Sequence, residues 1–138
     1  MEKIIITGAN RGIGLELAKK FKNEHFQVTA LCRQTSKELN DLDIRIFENA
    51  EVTDLQAIAQ IAEQLKSEKF EILLNNAGIF LNENLNQLDE DAFEDIAKQI
   101  QINSIAPLKV TSKFLPLIND GGKLAYITSR MGSISDNS

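Results

Sequence analysis

Cysteine is all but missing from this chain: Cys32 stands alone, so no intrachain disulfide can form and a reducing compartment fits. Its apolar neighbours predict a buried strand residue, since free cysteine behaves as a small hydrophobe. One histidine and one cysteine cannot assemble a usual zinc site, and no metal is expected. No apolar run approaches the roughly 20 residues of a membrane span. Met1-Glu2-Lys3 ahead of three isoleucines is too short for a signal peptide and reads as the start of a strand. Basic clusters are missing too. The formal net charge is -5, with lysine and arginine scattered, which argues against a nucleic-acid face but leaves room for a local positive spot that takes a phosphate. What is present is ordinary globular composition, 43% hydrophobic and 25% charged over 138 residues, enough for one domain with a real core. The expectation is a soluble, cytoplasmic protein that binds neither nucleic acid nor membrane.

Short apolar runs alternate with longer amphipathic ones. Lys3–Thr7 is β-branched and apolar, as in a strand buried on both faces. Gly12–Asn23 reads as a helix with Ile13, Leu17, Ala18 and Phe21 on one face. Residues 26–32 and 44–48 read as the second and third strands. Thr53-Asp54-Leu55-Gln56 has the capping-box pattern, with Thr53 as the cap, and opens a helix to about Glu68 striped by Leu55, Ile58, Ile61, Ala62 and Leu65. Residues 70–74 form a fourth strand and 81–88 a polar loop. From 89 to about 118 the pattern is helical, with Phe93, Ile96, Ala97 and Ile100 in one stripe and a break or kink at Pro107. Asn119-Asp120-Gly121-Gly122 reads as a turn and residues 123–128 as the fifth strand. Such alternation means βαβ units, hence an α/β fold with a doubly wound parallel sheet. Ligands of these sheets sit off the carboxyl ends of the strands, near the point where strand order reverses.

Several unusual signals fall just after a strand. Gly8-x-x-x-Gly12-x-Gly14 follows the first strand and opens a helix, the context in which glycines let backbone approach a dinucleotide pyrophosphate and the helix start offers N–H groups to it. The second strand ends Leu31-Cys32-Arg33, without the acid that usually receives the ribose of NAD. Arg33 and Arg11 are placed to bracket a 2′-phosphate, which favours NADP over NAD; the alternative is two solvated surface arginines. Asn75-Asn76-Ala77-Gly78 closes the fourth strand. Asn103 lies inside a helix one turn before Pro107, either positioned for a site or marking the kink. Ser129 after the fifth strand is able to bond a substrate oxygen or merely to cap a helix. Tyr126 and Arg130 have the spacing of a Tyr-x-x-x-basic pair, yet on a strand they stand about 13 Å apart and cannot act together.

Together these motifs resemble the short-chain dehydrogenase/reductase family along the whole chain. Its Thr-Gly-x-x-x-Gly-x-Gly falls on Thr7 to Gly14, its Asn-Asn-Ala-Gly on Asn75 to Gly78, its helix asparagine on Asn103 and its serine on Ser129. Ser129-Arg130-Met131-Gly132-Ser133-Ile134 looks most like the C-factor and sniffer-type carbonyl reductase branch. The resemblance implies a Rossmann-like sheet of about five strands in the order 3-2-1-4-5, forming one NAD(P)-binding domain over residues 1–138, incomplete at its carboxyl end. It implies that Gly8, Asn10, Arg11, Gly12, Ile13, Gly14, Asn75, Ala77 and Gly78 bind the cofactor. Glu51 and Val52 stand where the family has an adenine-contacting Asp, and an arginine at position 33 accompanies NADP use. Ser129 and Asn103 would be catalytic, the substrate a small carbonyl or alcohol, and residues 89–118 a surface for pairing with a second copy. The family's Tyr-x-x-x-Lys belongs to a helix beyond Ser138, so the 138 residues alone are expected to bind NADP weakly and to reduce no carbonyl. Beside that oxidoreductase reading stand a non-catalytic dinucleotide-binding unit and a piece that folds poorly, its fifth strand an exposed edge.

Overall fold

A computed structural model of the chain describes residues 1–76 and 89–127. Its strands are β1 (Lys3–Thr7), β2 (Gln27–Leu31), β3 (Arg45–Phe47), β4 (Phe70–Asn75) and β5 (Ile118–Tyr126). They form one parallel sheet, as the alternation of elements predicts, in the order β3-β2-β1-β4-β5 that the family resemblance implies. The helices are α1 (Gly12–Asn23), α2 (Lys37–Asn40), α3 (Leu55–Gln64), α4 (Glu90–Ile100) and α5 (Ala106–Phe114). Strand order reverses between β1 and β4, so a crevice opens at their carboxyl ends.

The period of two along β1 decides the layers. Ile4 and Ile6 point to one side, where Leu15, Ala18 and Leu39 cover them. Ile5 points to the other, against a cluster holding Ile58, Ile61, Val110 and Phe114. All three isoleucines are fully buried, each worth about 1.5–3 kcal/mol of burial. The amino ends of the strands are tied by charge instead. Arg45 forks onto Glu68 at 2.8 and 3.0 Å and onto the Thr29 hydroxyl at 3.1 and 2.8 Å; Lys3 adds a second cation to Glu68 at 3.2 Å. Hydrogen bonds from Arg45, opposed in part by burial and reinforced by Lys3, hold the Glu68 carboxyl down at about 2.

Local departures from the sequence pattern have physical causes. Asp54, not Thr53, caps α3: its carboxylate accepts from the N–H groups of Gln56 and Ala57, while the Thr53 hydroxyl turns to Glu51. A carboxylate is the better cap at a positive helix end. Ile13 is 61% exposed and leaves the buried face of α1 to Gly14, Leu15 and Ala18. The short α2, capped by Ser36 onto Leu39 N–H, is too brief to show as periodicity. Residues 119–122 are not a turn before β5 but a bulge within it, since Phe70 pairs with Ile118 and Ile72 already with Lys123. Gly121 takes φ +79° there, and a Cβ on Gly122 would lie 2.6 Å from Ile118 Cγ2 and 2.9 Å from the Glu71 carbonyl oxygen.

The long helical stretch is broken where proline predicts. Pro107 has no N–H to give the carbonyl of Asn103 four residues earlier, and residues Gln101–Ile105 run as a wider π turn before α5 resumes. The α4 stripe faces away from the core: Phe93 is 54% and Ile100 53% exposed, with Ala92 the buried residue of that helix. No helix of the described residues is long and apolar enough to cross a membrane. The predicted loop at 81–88 lies outside the described residues.

Candidate functional site

The turn from β1 to α1 needs two left-handed residues, and glycine fills both, Gly8 at φ +66° and Gly12 at φ +58°. Arg11 precedes α1 in extended conformation and leaves the helix start without a side-chain cap, and the first turn carries no acid. The leading N–H groups have no partner inside the helix and sit at its positive end, an arrangement that favours an anion.

Gly14 plays a different part from its two neighbours. A Cβ there would fall 2.2 Å from the Gly8 carbonyl oxygen and 2.4 Å from Asn76 Nδ2. Its role is packing: it lets α1 lie against the end of β1. Asn76 locks that junction from the β4 side. Its side chain donates to the Gly8 oxygen at 3.0 Å, and its backbone N–H donates to the Thr7 hydroxyl at 3.0 Å.

Above this junction lies a cleft of about 500 Å³ at the carboxyl ends of the strands. Of the positions singled out by the motifs and by the family resemblance, it is lined by Gly8, Asn10, Arg11, Gly12, Arg33, Glu51 and Val52, and it adds Cys32, Gln34, Ala50, Asn76 and Ile102. The loops after β2 and β3 are zipped by backbone, Ala50 N–H to Cys32 O and Asn49 N–H to Arg33 O, both 3.0 Å. That zipper sets Arg33 beside Glu51, Nε to Oε2 3.8 Å. Cys32 is buried as expected, and burial, with the Glu48 carboxylate second, pushes its thiol up to about 11. It is an inert wall rather than a nucleophile.

Other predicted positions stand apart. Asn75 turns its amide toward Thr111, 3.5 Å away, and Ile13 lines not the cleft but a shallow depression that meets it at Gly12, with Glu16, Leu17 and Lys20. Asn103 sits in the π turn beside the cleft-lining Ile102; such turns recur at functional sites. Ala77, Gly78 and Ser129 lie outside the described residues. Tyr126 is on β5 with its hydroxyl 2.7 Å from that of Thr111, committed to a strand as the spacing argument requires. Among the cleft residues that sequence reasoning passed over, Asn76 had a signal, the second amide of Asn75-Asn76. Gln34 and Ile102 had none. Among the described residues, no group of three or more acidic, histidine or cysteine side chains gathers to hold a metal.

The sequence profile described as short chain dehydrogenase matches residues 2–137. The chain belongs to this family. Among its curated relatives, 1-hydroxy-2-glutathionyl-2-methyl-3-butene dehydrogenase of Rhodococcus sp. is 29% identical over 139 aligned residues, covering 99% of this chain and 60% of the relative. Among solved structures, a carbonyl reductase from Pseudomonas aeruginosa PAO1 in complex with NADP superposes with a TM-score of 0.85 at 28% identity, covering 98% of this chain and 64% of that one. A Caenorhabditis elegans structure described as the carbonyl reductase Sniffer gives 0.80 at 28% identity, covering 99% and 67%. The chain thus spans about 60% of the length of the Rhodococcus relative it matches.

Proposed function

We propose that these residues form the cofactor-binding part of an NADP-dependent oxidoreductase acting on a small carbonyl or alcohol. The observation that carries the reading is that Arg11 and Arg33 line the same cleft as the glycine turn, with no acid closing β2. In this reading the start of α1 takes the pyrophosphate, the two guanidinium groups fork onto the 2′-phosphate, and Glu51 and Val52 flank the adenine. The left-handed Gly12, with nothing within 4 Å of where its Cβ would stand, and the uncapped helix start both suit such a ligand. A bound nicotinamide cofactor supplies or accepts the hydride. By family pattern Ser129 holds the substrate oxygen and Asn103 takes part in proton relay. The family's Tyr-x-x-x-Lys has no counterpart in residues 1–138, so this stretch by itself binds cofactor without turning over a carbonyl. The NADP complex of the Pseudomonas reductase supports the choice of cofactor.

Two further parts of the reading concern partners and place. The exposed stripe of Phe93 and Ile100, with Leu108 66% and Leu115 53% exposed nearby in sequence, supports pairing of two copies through the helices of residues 89–118, which sedimentation at several concentrations tests. A reducing, cytoplasmic setting agrees with the single buried cysteine.

Thermal denaturation with NADP and with NAD tests the cofactor reading. Saturation at 100 times the dissociation constant stabilises by about 2.7 kcal/mol, and the reading expects the larger shift with NADP. A shift with neither, or with NAD alone, contradicts it.

A further inference from the structure

Arg33 already has a negative neighbour. The loop zipper fixes the backbone of residues 49–50 against residues 32–33, and Asn49 holds the left-handed φ of +58° that the reversal needs. Glu51 follows directly. One of its carboxylate oxygens, Oε1, accepts from the Thr53 hydroxyl at 3.2 Å; the other, Oε2, stands 3.8 Å from Arg33 Nε. At that distance the pair is charge proximity rather than a formed hydrogen bond. Both side chains line the cleft shared with Arg11.

We propose that Glu51 is a specificity-determining residue of this cleft: as counter-ion of Arg33, it competes with a 2′-phosphate and lowers the preference for phosphorylated over unphosphorylated adenine ribose. The inference rests on the NADP reading and extends it. A 2′-phosphate that recruits Arg33 must draw the guanidinium from Glu51 and bring its own negative charge close to the carboxylate. An unphosphorylated ribose does neither. Removing the charge of Glu51 while keeping its shape therefore strengthens binding of the phosphorylated ligand selectively. Exposed ion pairs of this kind are worth little individually, so the selective gain is roughly two- to fivefold in affinity. The gain is transmitted mainly through Arg33 and shrinks when that side chain is removed.

The test uses two fragments of the cofactor, adenosine 2′,5′-bisphosphate and 5′-AMP, titrated calorimetrically into the full 138-residue chain, its Glu51→Gln and Arg33→Ala variants, and the double variant. Glutamine keeps an oxygen for the Thr53 hydroxyl and removes the charge. The expected result is that Glu51→Gln raises the affinity for the bisphosphate relative to 5′-AMP about two- to fivefold, any change at the adenine being common to both fragments, with the relative gain falling towards unity in the Arg33→Ala background. Low salt enlarges the gain and high salt reduces it. An unchanged ratio of the two affinities between the parent and Glu51→Gln overturns the inference while leaving NADP binding intact. A full gain persisting without Arg33 overturns the counter-ion role. If the parent chain binds neither fragment, the cofactor reading fails and takes this inference with it.

Discussion

Replacing Gly14 by alanine puts one carbon atom where none fits. Alanine is the better helix former by about 1 kcal/mol, and Gly14 lies within α1, so propensity alone predicts a more stable protein. The packing predicts the opposite. The new Cβ would stand 2.2 Å from the Gly8 oxygen, 2.4 Å from Asn76 Nδ2 and 2.9 Å from the Gly8 carbonyl carbon. Two of those atoms are backbone and cannot rotate away, so α1 must lift from β1. Overpacking of this kind costs typically about 1–3 kcal/mol, and lifting the helix strains the 3.0 Å bond from Asn76 to Gly8, worth about 1 kcal/mol more. After the propensity gain, the net loss is roughly 1–3 kcal/mol. With a urea slope near 2 kcal/mol per molar, the midpoint falls by about 0.5–1.5 M. Gly12→Ala is the comparison: nothing lies within 4 Å of its Cβ, but φ is +58°, so it suffers only left-handed strain of about 1–2 kcal/mol and no steric lift. Urea denaturation followed by circular dichroism reads both. A Gly14→Ala chain as stable as the parent, or more so, refutes the packing argument.

Two other outcomes follow from the fold. Hydrogen bonds from Arg45 and Lys3, opposed by burial, hold the Glu68 carboxyl at about 2 in the folded chain against an ordinary 4.5, so its stabilisation is complete above pH 4.5 and is lost as pH falls toward 2; the separation bounds it at about 3 kcal/mol, and partial exposure brings it to roughly 2 kcal/mol. Denaturant midpoints between pH 6 and pH 3 should drop more steeply for the parent than for Glu68→Gln; parallel curves would contradict the assignment. Asp54→Ala should cost about 1 kcal/mol through loss of the α3 cap, and Thr53→Ala distinctly less, by the same urea measurement; the reverse order would return the cap to Thr53.

Much of this was legible from sequence, for identifiable reasons. Ile4, Ile5 and Ile6 announce a strand buried on both faces because both faces are covered by helices. Gly8 and Gly12 announce the turn because left-handed backbone admits little else. Pro107 announces a break because of the missing donor, although its form, a π turn centred on Asn103, is not encoded in any single residue. What stayed hidden was tertiary. Periodicity put Ile13 on the apolar face of α1 with Leu17, Ala18 and Phe21, which do pack inward, but in the first turn Gly14 and Leu15 take the buried side and Ile13 faces out. Asn119-Asp120-Gly121-Gly122 has turn composition, and it becomes a bulge because Ile118 on its near side already pairs with Phe70. The pairing of Arg33 with Glu51 depends on two loops separated by a strand, which no local pattern reports.

The central claim is that the glycine turn and the two arginines hold one dinucleotide. Amide NMR of the 138-residue chain titrated with NADP tests it residue by residue. The account predicts progressive shifts at Gly8, Gly12, Arg33 and Glu51, little change at Lys3, Arg45 and Glu68 at the far end of the strands, and weaker changes at Arg33 when NAD replaces NADP. Shifts centred on the Lys3–Arg45–Glu68 end, or none at saturating NADP, would contradict it.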